Sequence, residues 1–176
     1  AGSLALFRLR LPWPVLAVRL GLRRGSENPQ VRLRGSLGES LLWGVLALLG
    51  GLAYLWVLRT WPPAGGLREG LFDLASATGS MKNWLLLLGL LGAPPFEEYL
   101  FRGILYKGLR RTWRPLPSML ASAALFAAVH PPVSMLPVFG LGLCAALAFE
   151  RTKLLLAPIL VHALYNAGVM GVQLPW

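Results

Sequence analysis

Cysteine is nearly absent. The 176 residues hold one, Cys144, so no internal disulfide can form and the redox compartment cannot be read. Its place in an apolar run reads as a small buried side chain. Charge is scarce as well: 14% of residues are charged, against about 25% in a soluble domain. Hydrophobic residues make up 56% and the mean hydropathy is +0.60. A soluble core of this size cannot hide so much apolar surface, whereas a lipid-facing exterior can. Acidic residues number seven against 17 Lys and Arg, a net charge of +10. The basic residues form no continuous stripe; they cluster at the ends of apolar runs, which excludes nucleic acid as a partner and fits membrane topology signals. No internal repeat and no low-complexity tract is present.

What is there is a series of apolar runs. The first 35 residues alternate apolar residues with seven Arg, from Arg8 to Arg34. They read as a basic amphipathic segment on an anionic membrane surface or as the end of a longer membrane domain. Leu4 to Leu22 does not read as a signal peptide, being broken by Arg8, Arg10, Pro12, Pro14 and Arg19. The membrane domain is expected over 36–176. Ser36 and Glu39 have capping-box spacing, and the eighteen uncharged residues Leu41 to Leu58 suffice to span a bilayer. Residues 60–83 suggest a short interfacial helix, with Asn83 capping the next span. Further spans are expected over 84–105 (interrupted by Pro94-Pro95), 116–130, 133–149 and 154–174. Gly140, Gly142, Ala145 and Ala146 should let the fourth pack closely on a neighbour. The fold expected is all-α, a polytopic transmembrane helix bundle of about five spans.

Counting Lys and Arg in the alternate connections gives 13 on one side and three on the other. The positive-inside rule then places the N-terminus in the cytoplasm. The Leu, Arg and Gly usage suits a bacterium of high GC content, so the expected location is an inner (plasma) membrane.

Three charged residues stand inside the second span: Glu97, Glu98 and Arg102. Unpaired at the bilayer centre they would cost on the order of 8–10 kcal/mol, so they must face protein or a wet cavity. Glu98 and Arg102 are four apart, share a helix face and can pair. Glu97 points away from that pair and is free to work as a base. A purely structural ion pair is the alternative. Both histidines of the chain, His130 and His162, also lie in or at the end of apolar spans. Each shares a helix face with a residue four away, Phe126 and Asn166 respectively. A buried imidazole can relay a proton; it can also be a satisfied core residue, and a membrane Asn is often glue between helices.

Read in order, Glu97-Glu98-Tyr99-Leu100-Phe101-Arg102, Phe126-Ala127-Ala128-Val129-His130 and His162-Ala163-Leu164-Tyr165-Asn166 give EExxxR, FxxxH and HxxxN. The set resembles the signature motifs of the CAAX-protease and bacteriocin-processing family, which includes the type II CAAX prenyl endopeptidases. The resemblance covers about residues 84–170. It implies an intramembrane glutamate-type endopeptidase acting on a membrane-anchored protein or peptide. Glu97 would activate water and His130 would hold that water or shuttle its proton. His162 and Asn166 would stabilise the oxyanion. Glu98, Arg102 and Phe126 would support the array. No cofactor is implied. A zinc ion held by two His and a Glu is the less favoured route. A catalytically silent member acting as a binding or bacteriocin-immunity scaffold is the alternative function, and a proton-coupled carrier a third.

Two points sit uneasily with the resemblance. Family members usually carry more spans, so a short or truncated chain is expected. His130 falls at the outer end of its span while Glu97 lies at mid-depth. The two can meet only if the third helix is sunk in the membrane or ends in a cavity.

Overall fold

The computed structural model describes residues 29–61 and 79–172, and every regular element within them is helical. Helix α1 is Pro29–Thr60. It opens on a proline, whose missing N–H costs nothing in a first turn. α2 is one rod of five consecutive segments: Gly79–Leu87, Leu88–Gly92, Ala93–Glu98, Tyr99–Tyr106 and Lys107–Leu109. The second and fourth are π-helical. α3 is Pro115–Ala128, and a 3-10 turn at Pro132–Ser134 leads into α4, Met135–Thr152. α5 is Leu156–Gly171. The segments Gly35–Thr60 and Pro132–Thr152 are long and apolar enough to cross a membrane, while Pro115–Ala128 and Leu156–Gly171 are shorter apolar helices.

The boundaries differ from the sequence reading in three places. Ser36 and Glu39 do not cap a helix, because α1 already runs from Pro29 and consumes the free N–H groups that a capping box would bind. Glu39 instead accepts from Trp43 Nε1 (2.8 Å) and from Arg151 Nε (2.9 Å). Asn83 lies inside α2 rather than ahead of it. Pro94-Pro95 does not break α2 either, since the π turn before the prolines changes which carbonyls need a donor. The expected interfacial helix falls mostly on 62–78, outside the described residues, as does most of the basic segment 1–35.

α4 is central and packs on α1, α3 and α5. Its buried face sets the small residues Gly142, Ala145, Ala146 and Ala148 among Val138, Leu141 and Phe149. A Cβ at Gly142 would sit 3.0 Å from both Cα and Cβ of Ala123, so the absent side chain sets how closely α3 approaches. Gly140, expected to share that role, faces open space. At one end of the bundle Glu150 accepts from Tyr106 (2.8 Å), Arg110 (3.3 Å) and Lys153. Lys153 is left-handed (φ 55°), and its N–H closes α4 on Phe149 O at 2.7 Å.

Candidate active site

The deepest polar group is the pair Glu98–Arg102, one turn apart on α2 and both fully buried. Arg102 Nη1 lies 3.0 Å from each Glu98 oxygen. Its hydrogen bond goes to Oε1; Oε2 accepts none and is held by charge alone. Arg102 Nη2 donates to the carbonyl of Gly142 at 2.8 Å, and the guanidinium stacks 4.7 Å from the Phe126 ring centroid. Glu98 Oε1 also faces His162 Nδ1 at 2.9 Å. A carboxylate paired with arginine accepts, so Nδ1 of His162 carries the proton and Nε2 presents its lone pair. Gly142, Arg102, Glu98 and His162 thus form one buried chain across α4, α2 and α5.

The π turn and the prolines place Asn166. Ala93 N–H bonds Leu88 O, five residues back. In that register the donor for Gly89 O would be Pro94, which has no N–H. Asn166 Nδ2 on α5 supplies it instead, at 2.8 Å. In the other π segment Ser122 Oγ on α3 donates to Phe101 O at 3.1 Å. The acceptor freed at Gly89 is thus met by a side chain of a neighbouring helix, as a lipid environment demands.

His130 sits just past the end of α3, where the last four carbonyls have no helical donor. Its backbone N–H takes Ala127 O at 3.0 Å and its ring Nδ1 lies 2.7 Å from Phe126 O. A carbonyl can only accept, so His130 also holds its proton on Nδ1 and turns Nε2 outward. The Phe126 ring, fully buried, packs edge-on against His130, His162 and Phe101 at 4.8, 5.6 and 5.0 Å.

The two lone pairs converge on Glu97. Its Oε2 is 3.9 Å from His130 Nε2 and 3.9 Å from His162 Nε2. That oxygen is shielded from solvent and accepts no hydrogen bond from the protein. Three acceptors therefore face one another, at a spacing too long for direct hydrogen bonds. The meeting of Glu97 and His130 answers the depth problem: α3 ends beside the middle of α2, within the bundle.

Six of the seven residues singled out in the sequence are thus drawn together; Asn166 lies one turn beyond His162 on α5 and its contact is with Gly89. The sequence reading missed those that hold them. Gly142 offers a carbonyl, not only a missing side chain, and Ser122 and Gly89 act through backbone irregularities of α2 that have no periodic signature. Tyr165, on the next turn of α5 from His162, is buried against α1.

The family model described as type II CAAX prenyl endopeptidase Rce1-like matches residues 79–168, 90 of the 176. That range holds α2 to α5 up to Gly168 and every residue of the site, and leaves α1 outside. The membrane-embedded CAAX protease MroQ of Staphylococcus aureus (strain USA300) is 34% identical over 88 residues. The match covers 46% of this chain and 36% of the relative, so the chain spans little more than a third of that protein. No solved structure matches the chain. With half its length and the whole buried constellation inside the match, this helical membrane protein belongs to the Rce1-like type II CAAX prenyl endopeptidase family.

Proposed function

We propose that the chain is an intramembrane endopeptidase that cuts a peptide bond of a membrane-anchored protein or peptide with a glutamate-activated water. One observation carries the reading: two histidines, each with Nδ1 fixed to an acceptor, turn Nε2 toward the same Glu97 oxygen at 3.9 Å. Gaps of that length suit a bridging water, which can donate to two such acceptors. Glu97 would take the proton as the water oxygen attacks the scissile carbonyl, with His130 holding the water on its line of approach. The same proton then passes to the departing amine nitrogen as the tetrahedral intermediate collapses.

His162, held through Nδ1 by Glu98 and carrying at Nε2 a proton taken from solvent before attack, would donate a hydrogen bond to the developing oxyanion and keep that proton through the step. Asn166 spends one Nδ2 hydrogen on Gly89 O; the second remains for the oxyanion. Each such donor contributes about 3 kcal/mol of transition-state stabilisation. Glu98 and Arg102 are fully buried and act by orienting His162 rather than by touching substrate. Lys107 lies in the last turn of α2, Arg110, Arg111 and Arg114 follow it, and Arg151 and Lys153 close α4. This end we take as cytoplasmic, in a bacterial inner membrane.

The test is cleavage of a panel of membrane-anchored reporter peptides by the purified protein in liposomes, with and without a metal chelator. Chelator-resistant cleavage is the expected result. Loss of cleavage on chelation, restored by zinc, would assign Glu97 and the histidines to a metal instead. A folded protein that cuts no reporter but retains a partner in cells would favour the scaffold function.

A further inference from the structure

His130 stands on a turn, not on a helix. Residues 129–131 leave α3 and Pro131-Pro132 leads into α4. Local bonds hold both sides of this turn: His130 to Ala127 O and Phe126 O, and Ser134 N–H and Oγ each to Pro131 O at 2.9 Å. Such bonds fix its shape but not its position against the remaining helices. Among the described residues, one hydrogen bond reaches it from another helix. Tyr54 Oη on α1 donates to the carbonyl of Val133, a buried residue three beyond His130.

The geometry that allows this contact is built in. Ala47, Gly51 and Tyr54 share one face of α1. A Cβ at Gly51 would come within 2.6 Å of Tyr165 Cε2, and one at Gly44 within 2.8 Å of Leu164 Cδ2. The two glycines let α1 lie directly on α5, and that close approach brings Tyr54 over the Pro132–Ser134 turn. The half-buried Tyr54 ring also lines an apolar cavity of about 210 Å³ between α1 and α4.

We infer that Tyr54 is a positioning residue: its hydroxyl latches the 130–134 turn to α1 and so fixes where His130 Nε2 stands relative to Glu97. The inference rests on the protease reading. It extends the working unit to a helix outside the matched residues 79–168. A small misplacement of a group that holds the attacking water lowers turnover far more than binding.

The test compares Tyr54→Phe with Val57→Ala, an exposed residue one turn along the same helix. Tyr54→Phe removes one oxygen and leaves the ring. We expect its kcat to fall by about tenfold with KM within about twofold, by the sensitivity of attack geometry, and Val57→Ala to match the parent. The chain has two histidines, so ring-¹⁵N NMR of histidine-labelled protein follows each directly. In Tyr54→Phe the His130 Nε2 resonance should shift or broaden, with Nδ1 still held by Phe126 O, while those of His162 stay in place. Unchanged His130 resonances with parental kcat would overturn the latch. So would equal shifts in both histidines, which report general loosening. The NMR arm reads the latch whatever the chemistry, whereas failure of the protease reading appears separately, as cleavage that survives replacement of Glu97.

Discussion

Removing one member of the buried ion pair is the most informative structural perturbation. Arg102→Met keeps the apolar stem and deletes the guanidinium, which faces Glu98 at 3.0 Å, Gly142 O at 2.8 Å and the Phe126 ring at 4.7 Å. Glu98 stays fully buried, its charge balanced by nothing except the His162 N–H. Breaking a buried pair this way costs about 3–5 kcal/mol. For a chain of this length that corresponds to a fall of roughly 6–20 °C in the unfolding midpoint. Glu98→Gln/Arg102→Met removes the stranded charge, and replacing both partners of such a pair is close to neutral, so the double variant should recover most of the loss. Recovery should not extend to activity, because His162 then lacks the carboxylate that fixes its ring through Nδ1. The assay is thermal unfolding of parent, single and double variants in one detergent, with reporter cleavage on the same samples. A single variant within 1 kcal/mol of the parent, or a double variant less stable than the single one, would refute the reasoning. The pair would then not carry an uncompensated charge.

Two further substitutions probe the helix contacts. Asn166→Ala strips the donor from Gly89 O, which Pro94 cannot replace. It should cost about 1–3 kcal/mol of stability and lower cleavage; an unchanged midpoint in thermal unfolding would show that the carbonyl finds another donor. Gly142→Ala places a methyl 3.0 Å from Ala123 and 3.3 Å from Arg102 Nη2. Overpacking of this kind costs about 1–3 kcal/mol. The same measurement should find it worse than Gly140→Ala, which meets nothing within 4 Å.

The site was more legible in the sequence than the fold was. Charged and imidazole side chains are so unfavourable in an apolar span that each one present must converge on a partner, and Glu98–Arg102 and Glu97 with both histidines do so. Helix ends were less legible. Ser36 carries the chemistry of a cap, but the helix before it, starting at Pro29, had no apolar periodicity to announce it. The prolines misled for a related reason: a Pro-Pro pair normally ends a helix, yet a π turn ahead of it and an asparagine from α5 remove the penalty. That exchange depends on a residue 77 positions away, which no local window contains. The role of Tyr54 is hidden likewise, since the glycines that bring α1 onto α5 have meaning only once the helices are paired.

The central claim is that Glu97 is the base that activates water between two fixed imidazoles. The most direct measurement is the kcat of Glu97→Gln, an isosteric change that keeps the hydrogen-bonding shape and removes the basicity, on a membrane-anchored reporter that the parent cuts. Loss of a general base should lower kcat by about 10²–10⁴-fold, with the unfolding midpoint near that of the parent. A kcat within tenfold of the parent in a folded variant would contradict the account.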